Sequence, residues 1–238
     1  MRILVITGAG VSAESGIPTF RGQDGYWHNL DPATLATPEA FARDPELVWQ
    51  WYRERRERIR AAEPNAAHQA ITRLSILAPA FLLVTQNVDD LHARAGIAKA
   101  NIAQIHGDIF VTRCSQCGEE DQEQANKEEL PRCAACGAMM RPGVVWFGEQ
   151  LDSAKIDMVE RFLAGGPCDL VIVTGTTATF GYIIDWAVRG AAGRGDLIEV
   201  NPEETALSPF ATKTWREPAA AALPRLVAAL ACGDVSPL

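Results

Sequence analysis

A glycine turn directly after the first strand-like run restricts the fold more than any other feature of the chain. The apolar run 2–7 leads into Gly8, Ala9 and Gly10, and Ala13 stands three residues later. This is the G-x-G-x-x-G/A pattern of a turn that receives a dinucleotide pyrophosphate. In a dehydrogenase a continuing helix would follow, whereas here the polar, Gly/Pro-broken stretch 15–22 follows. The turn therefore predicts a Rossmann-type nucleotide site with a loop where the helix would continue.

The composition favours a globular protein and argues against some classes of partner. The 238 residues are 47% hydrophobic and 22% charged, and the formal net charge is −8, which disfavours non-specific nucleic-acid binding. The apolar runs are of strand length, too short to span a membrane. Because the first strand follows Met1 at once, a targeting peptide has no room. We expect a cytoplasmic protein without nucleic-acid or membrane partners.

Strand-like runs recur along the chain, with helical patterns between most of them. They occupy 2–7, 81–85, 102–105, 170–174 and 197–200. This alternation predicts an α/β fold, a Rossmann-type parallel sheet with helices on both faces. Two stretches interrupt it: a helical insertion, 26–79, with a long helix over 44–63 and another from about Asn65, and the cysteine-bearing insertion 108–142. We predict that these insertions form a smaller lobe, and that 1–25, 80–107 and 143–238 form the nucleotide-binding domain.

Four of the six cysteines form two C-x-x-C pairs, separated by 15 residues. This spacing is typical of a tetrahedral zinc ribbon. Two disulfides are the alternative, which the lack of a secretory signal disfavours, and a redox C-x-x-C is disfavoured because neither pair opens a helix after a strand. Cys168 and Cys232 are expected to be small buried side chains. The predicted metal ligands are Cys114, Cys117, Cys133 and Cys136.

Polar residues follow three of the predicted strands. Gln86, Asn87 and Asp89 come after 81–85, His106 after 102–105 and Asn201 after 197–200. At the carboxyl edge of a sheet such groups can bond a ribose or an amide, and a histidine there can serve as a general base. Alone, each has an ordinary explanation: Asx turns and helix caps for the Asn and Asp residues, and a structural role for the histidine.

Taken together, the motifs resemble the sirtuin family of NAD-dependent protein deacylases. The matching stretches are 8–22, 85–92, 105–110, the two C-x-x-C pairs, 141–149, 175–177 and 199–201. The resemblance implies NAD as cosubstrate, a structural zinc ion and acyl-lysine proteins or peptides as partners. The expected products are nicotinamide, free lysine and O-acyl-ADP-ribose.

The resemblance also implies residue roles. His106 and Asn87 would be catalytic, with Asn87 binding nicotinamide, Asp89 holding its carboxamide and neutral His106 taking a proton from a ribose hydroxyl. Asn201 would take the place of the missing acidic residue at a ribose. The backbone of the substrate stretch would add a peptide strand, with Trp146 beside the lysine stem; its residues are Val144, Val145, Trp146 and Phe147. The cofactor residues would be Gly8, Ala9, Gly10, Ser12, Ala13, Gly16, Thr19, Phe20, Arg21, Gln86, Asn87, Asp89, Gly175, Thr176, Thr177 and Asn201.

Two stretches depart from the family pattern. After Gly175 the chain has Thr177 in place of a serine, which keeps a hydroxyl, and then the non-matching Phe180, Gly181 and Tyr182. Glu217 stands where a glycine is common beside the adenine. These differences concern the details of adenosine binding.

Tyr52 and Arg55 lie three apart in the predicted long helix and so share a face. An Arg/Glu helix is usually a solvated surface. However, the helical neighbours of Arg55 include no carboxylate, which suits an incoming acidic group. The same is true of Arg56, so spacing alone does not separate the two arginines. Tyr-x-x-Arg resembles the class III sirtuins, which remove succinyl and other acidic acyl groups, and Ala36 would widen the acyl pocket.

Two other functions use the same features. One is ADP-ribosyl transfer to a protein, which begins with the same NAD cleavage. The other is a non-enzymatic NAD sensor or zinc-ribbon scaffold, which needs neither His106 nor Asn87. Their presence in the sequence favours an enzyme.

Overall fold

The computed structural model describes residues 1–19, 31–121 and 130–232. The strands in these ranges are β1 (Arg2–Thr7), β2 (Ala80–Thr85), β3 (Ile102–Gln104), β4 (Gly107–Cys114), β5 (Glu120–Asp121), β6 (Met140–Val144), β7 (Leu170–Thr174), β8 (Asp196–Val200) and β9 (Lys213–Trp215). The α-helices are α1 (Pro32–Leu35), α2 (Pro38–Arg43), α3 (Pro45–Ala61), α4 (Ala66–Leu77), α5 (Leu91–Arg94), α6 (Ser153–Ala164), α7 (Gly181–Ala191) and α8 (Ala219–Ala231).

Six strands form a parallel sheet in the order β3-β2-β1-β7-β8-β9. In its centre, Val5 of β1 lies between Leu83 of β2 and Ile172 of β7. The strand order reverses between β1 and β7, so the connections after these two strands leave in opposite directions. In open α/β sheets this is the point where a crevice forms at the carboxyl edge.

Helices cover both faces of this sheet. Ile3 and Val5 pack in one apolar core with residues of α4 and α8. The alternate residues Leu4 and Ile6 pack in a second core with residues of α6 and α7. A strand buried on both sides needs a continuous apolar run rather than an alternating one. The predicted fold class is confirmed.

The two helices predicted in the first insertion are α3 and α4. Asp44 caps α3, since its side-chain oxygen accepts a hydrogen bond from Leu47 N at 3.0 Å. Asn65 caps α4 in the same way through Ala67 N at 2.9 Å. These caps satisfy backbone donors that have no partner within the first helical turn.

The smaller lobe has a sheet and an apolar core of its own. Its three strands are antiparallel in the order β5-β4-β6. They pack with α1, α2 and α3 around a core that contains Trp49, Trp51, Ile109 and Val144. The assignment of exact domain boundaries stays a prediction.

Arg56 fastens α3 to β4 in this lobe. Its side chain is 1% exposed, and Nη2 donates to the carbonyl of Val111 at 3.1 Å. Nε donates to the carbonyl of Ile109, and the guanidinium lies 5.2 Å from the ring centre of Trp49. Arg55 and Arg56, which the sequence could not separate, therefore have different environments.

Within the described ranges, no helix combines the length and the apolar character that crossing a bilayer requires.

Candidate active site

A cleft of about 720 Å³ lies between the carboxyl edge of the parallel sheet and the smaller lobe. The connections after β1, β2, β7 and β8 form one wall, and residues of α3 and the segment after β6 form the other. Predicted site residues that line it are Gly8, Ala9, Gly10, Ser12, Ala13, Thr19, Tyr52, Arg55, Gln86, Asn87, Asp89, His106, Val144, Val145, Trp146, Phe147, Gly175, Thr176, Thr177 and Asn201. Gly16 is absent from the lining, and Phe20 and Arg21 lie outside the described residues.

The glycine turn is continued by a 3-10 helix, Ala9–Ser15, and not by an α-helix. It touches the turn after β7 backbone to backbone, and Gly10 N donates to Gly175 O at 2.8 Å. A Cβ on Gly10 would lie 2.8 Å from Gly175 Cα, and one on Gly175, whose φ is +63°, would lie 2.4 Å from Val11 N. Both positions therefore require glycine, which is the reason for this part of the motif.

Asn87, Asp89 and Ser12 form a buried polar group at the floor of the cleft. Ser12 Oγ donates to Asp89 Oδ2 at 2.9 Å, and Asn87 Nδ2 donates to Ser12 Oγ at 3.1 Å. Leu91 N donates to Asp89 Oδ1 at 3.1 Å, so Asp89 also makes the predicted Asx turn. Burial raises the pKa of the Asp89 carboxyl.

Asn87 Oδ1 is buried and accepts no hydrogen bond from the described residues. A buried acceptor without a hydrogen bond lowers the stability of the fold unless a ligand supplies the donor. The amide N–H of a nicotinamide carboxamide is a donor of the right kind. The residues of the cleft thus fit the implied dinucleotide.

His106 is held as a neutral base. Its Nδ1 lies 3.0 Å from the carbonyl oxygen of Gln86, and since a carbonyl can only accept, Nδ1 carries the proton. Nε2 lies 3.0 Å from the hydroxyl of Tyr182. Burial lowers the pKa of His106, so the imidazole is uncharged near neutral pH and its Nε2 lone pair accepts the hydrogen bond of the Tyr182 hydroxyl.

Tyr52 and Arg55 project from α3 into the cleft, on the face predicted from their spacing. Tyr52 is buried and Arg55 is half-buried. The guanidinium of Arg55 lies 4.8 Å from the ring centre of Trp51 and 6.0 Å from that of Tyr52. Burial lowers the pKa of Arg55 and raises the pKa of Tyr52 to about 12. Near neutral pH Tyr52 therefore keeps its proton, and so does Arg55.

Trp146 is fixed from two sides. The guanidinium of Arg141 lies 3.4 Å from the centre of its ring, and Arg141 forms an ion pair with Glu149. On the other side, the indole Nε1 donates to the hydroxyl of Tyr52 at 2.9 Å. The indole is only 3% exposed, so it forms a rigid part of the cleft wall.

Three backbone N–H groups of the predicted substrate stretch are already bonded within the chain. Val145 N donates to His106 O at 2.9 Å, and Phe147 N donates to Ala36 O at 3.0 Å. Trp146 N donates to Glu149 Oε2 at 2.8 Å. Addition of a peptide strand through these donors requires those bonds to open, and the strand addition stays a prediction.

The sequence reading missed several residues of the cleft. Phe180 and Tyr182 belong to the stretch that departs from the family pattern, and both line it. Glu14 and Glu203 add carboxylates. Glu14 lies in the matching stretch 8–22 but was not predicted as a site residue, and Glu203 lies outside the matching stretches. Glu217, in contrast, is absent from the lining, and it pairs at the surface with Arg225 at 2.7 Å.

The four predicted zinc ligands converge. Their sulfur atoms all lie within 4.8 Å of one another, with Cys114–Cys136 and Cys117–Cys133 distances of 3.5 and 3.6 Å. Tetrahedral Zn–S bonds of about 2.3 Å place sulfurs about 3.8 Å apart, whereas a disulfide needs about 2.05 Å. The cluster is that of a structural zinc site. Cys168 is buried as predicted, but the prediction is wrong for Cys232, which is exposed at the end of α8.

The parallel sheet is of Rossmann type and has a glycine turn at its switch point, and the smaller lobe carries four cysteines arranged to bind zinc. Together these features define a dinucleotide-binding protein with a zinc-ribbon lobe. The chain belongs to the Sir2 family, whose sequence model matches residues 8–180. It is 45% identical to NAD-dependent protein deacylase 1 of Archaeoglobus fulgidus over 94% of this chain and 91% of that protein.

Solved Sir2 structures share the whole fold. The crystal structure of a Sir2 homologue–NAD complex matches with a TM-score of 0.89 and 43% identity, covering 98% of this chain and 90% of that one. A mutant Sir2 homologue in complex with 2'-O-acetyl ADP ribose matches with a TM-score of 0.89 and 41% identity, covering 100% and 94%.

Proposed function

We propose that this chain is an NAD-dependent protein deacylase that removes acyl groups from lysine side chains. The observation that carries the proposal is the position of a neutral base, His106, in the same cleft as the orphaned amide oxygen of Asn87. The relative from Archaeoglobus fulgidus carries the name of such an enzyme. The 2'-O-acetyl ADP ribose in the complex of a Sir2 homologue is the type of product that acyl transfer to ADP-ribose gives.

Asn87 and Asp89 hold the leaving nicotinamide. In NAD a glycosidic bond joins nicotinamide to a ribose carbon. When nicotinamide leaves, the acyl oxygen of the substrate bonds to that carbon. The neutral Asn87 amide binds the carboxamide without adding charge, and its free acceptor takes an amide proton. The burial of Asn87 and Asp89 keeps water from competing with the acyl oxygen, which is a weak nucleophile.

His106 is the general base. Its Nε2 accepts the proton of a ribose hydroxyl, so that the hydroxyl oxygen can attack the bound acyl carbon. The Gln86 carbonyl keeps the other ring proton on Nδ1. The pKa of His106 is lowered by burial, and the base is therefore ready near neutral pH.

We further propose that the acyl range includes succinyl and similar acidic groups besides acetyl. Arg55 binds the carboxylate of the acyl tail through charge-assisted hydrogen bonds, and Tyr52 donates its hydroxyl to the same carboxylate. Trp146 flanks the lysine stem. An acetyl group has no carboxylate to bond with Tyr52 or Arg55. The location in the cytoplasm stays a prediction.

The test is incubation of the protein with NAD and a panel of acyl-lysine peptides, followed by mass spectrometry. We expect nicotinamide, deacylated peptide and O-acyl-ADP-ribose. Peptide or protein carrying ADP-ribose would indicate the transferase alternative. NAD binding without turnover of any acyl peptide would indicate the sensor or scaffold.

The variant His106→Ala tests the base. Removal of a general base typically slows a reaction by about 10²–10⁴-fold. The rate of O-acyl-ADP-ribose formation should therefore fall by at least about 10²-fold. NAD affinity, measured by calorimetry, should stay close to that of the parent. Near-normal turnover would mean that His106 is structural.

A further inference from the structure

Tyr182 occupies the one lone pair that the base presents to the cleft. Its hydroxyl lies 3.0 Å from His106 Nε2. Because the Nδ1 proton is directed at the Gln86 carbonyl, Nε2 of the neutral ring is an acceptor and Tyr182 is the donor. The two residues are 76 positions apart in the chain, and no motif connects them.

The Tyr182 ring contacts two other aromatic rings. It stacks on Phe180 with 5.5 Å between ring centres and 7° between planes. The ring centre of Trp186 lies 5.2 Å from that of Tyr182, and Trp186 Nε1 donates to Glu160 at 3.0 Å. Phe180 also meets His106 edge-on at 6.0 Å. The hydroxyl is thus presented to Nε2 by a fixed side chain.

Tyr182 stays a hydrogen-bond donor across the neutral range, because burial raises its pKa to about 12. Burial and the Gln86 carbonyl act in opposite directions on the pKa of His106. Charged residues from other elements line the same cleft as His106. They are Glu14, Arg55, Asp89, Glu149 and Glu203.

We propose that Tyr182 is a positioning residue for His106, which holds the imidazole as the Nδ1–H tautomer and keeps Nε2 unprotonated. A donor on Nε2 can bond only the neutral ring, because the imidazolium carries a proton at that atom. Protonation of His106 at Nε2 therefore requires the Tyr182 hydroxyl to turn, so that its oxygen accepts a hydrogen bond instead of donating one. When a ribose hydroxyl replaces the Tyr182 hydroxyl as the donor to Nε2, Nε2 is already unprotonated and can accept the ribose proton.

The structural part of this proposal does not depend on the reaction, whereas its catalytic consequence rests on the proposed function. The two parts are separated by NMR titration of the histidines, which number four. The test variant is Tyr182→Phe, which removes the hydroxyl and keeps the stacked ring. The matched control is Tyr52→Phe, which removes another hydroxyl from the same cleft without touching His106.

In Tyr182→Phe we expect the pKa of His106 to rise by roughly half to one pH unit, the equivalent of one ordinary hydrogen bond. Tyr52→Phe should leave the His106 titration where it is in the parent. An unchanged or lowered His106 pKa in Tyr182→Phe overturns the proposal, because a lowered pKa would mean that the hydroxyl acts as an acceptor for the imidazolium. An equal shift in both variants also overturns it, since the cause would then be a general change in the cleft.

The second measurement is the pH profile of kcat/KM for deacylation. In Tyr182→Phe its acidic limb should move to higher pH by the same amount as the NMR titration. A shifted NMR titration with an unmoved profile leaves Tyr182 as the residue that holds His106 and removes His106 as the base of the proposed reaction. The melting temperature of Tyr182→Phe shows whether the variant is folded, and the NMR comparison is made on folded protein only.

Discussion

The indole Nε1 of Trp146 donates to the hydroxyl of Tyr52 at 2.9 Å. An indole N–H can only donate, so the Tyr52 oxygen is the acceptor in this bond. The hydroxyl proton of Tyr52 is then the group that Tyr52 offers to a ligand, beside the guanidinium of Arg55. This bond joins α3 to the segment after β6 within one wall of the cleft.

Arg55→Met should weaken desuccinylation and spare deacetylation. A hydrogen bond to a charged group contributes roughly 1.5–3 kcal/mol, and about 1.4 kcal/mol is a factor of ten. We therefore expect kcat/KM for a succinyl-lysine peptide to fall at least about tenfold, with little change for the acetyl-lysine peptide of the same sequence.

The control for Arg55 is Arg58→Met, an exposed arginine of the same helix. It should change neither activity. If Arg55→Met lowered both activities equally, Arg55 would be supporting the fold through its contact with Trp51. If succinyl-lysine turnover did not fall, the protein would be a plain deacetylase.

Arg56→Met should lower stability. Spacing alone does not separate Arg56 from Arg55 on α3, but their environments differ, because Arg56 is buried and bonds two carbonyls of β4. Loss of these charge-assisted bonds should lower the free energy of unfolding by at least about 2 kcal/mol. Urea denaturation of Arg56→Met beside Arg58→Met measures the difference, and equal midpoints would contradict the assigned role.

Cys114→Ser should release zinc and loosen the smaller lobe. Metal binding supplies folding free energy in a site of this kind, and four cysteine ligands leave no open position for catalysis. We expect a lower metal content by elemental analysis and a lower melting temperature. Cys232→Ser, which changes an exposed cysteine outside the cluster, should alter neither. A zinc-free Cys114→Ser protein that stayed folded and fully active would contradict the prediction.

Two buried histidines should make the fold sensitive to acid. His68 and His92 are fully or almost fully buried, with ring centres 4.7 Å apart. Burial lowers the pKa of His68 from 6.5 to about 4, and burial, followed by the charge of His68, lowers that of His92. Below pH 6.5 the unfolded chain binds protons that the folded chain excludes, so stability falls as pH falls from 6.5 towards 4.

His68→Gln tests this acid sensitivity. Each histidine can contribute up to about 1.4 kcal/mol per pH unit to the slope of the unfolding free energy. The variant should show a shallower slope than the parent between pH 4 and 6.5. Asp89, whose pKa is raised by burial, acts with the opposite sign but is common to both proteins. Equal slopes would mean that His68 is protonated in the folded state.

The inner strands of the parallel sheet were the easiest part to predict, because both of their faces are buried and each is a mainly apolar run. The predicted run 170–174 is β7 itself, and 81–85 and 197–200 differ from β2 and β8 by one residue. β9 was not predicted, because its three residues, Lys213–Trp215, include only one apolar side chain.

The site could be predicted where it lies at strand ends or in the glycine turn. Asn87, Asp89 and His106 meet in one cleft because parallel strands end at one edge. Tyr182 could not be found in this way, since its contact with His106 is made by the packing of α7 against the sheet. Helical spacing placed Arg55 on the right face, yet it could not tell which neighbouring arginine would be covered by β4.

The backbone contact between Gly10 and Gly175 has a consequence for redesign. The turns after β1 and β7 meet here without an intervening side chain, so no change of rotamer could accommodate a substitution. Any attempt to change the cosubstrate preference must therefore leave this junction intact. It has to work through side chains that face the cleft from its rim, such as Thr177 and Glu203, where a library of replacements can be tried without separating the halves of the sheet.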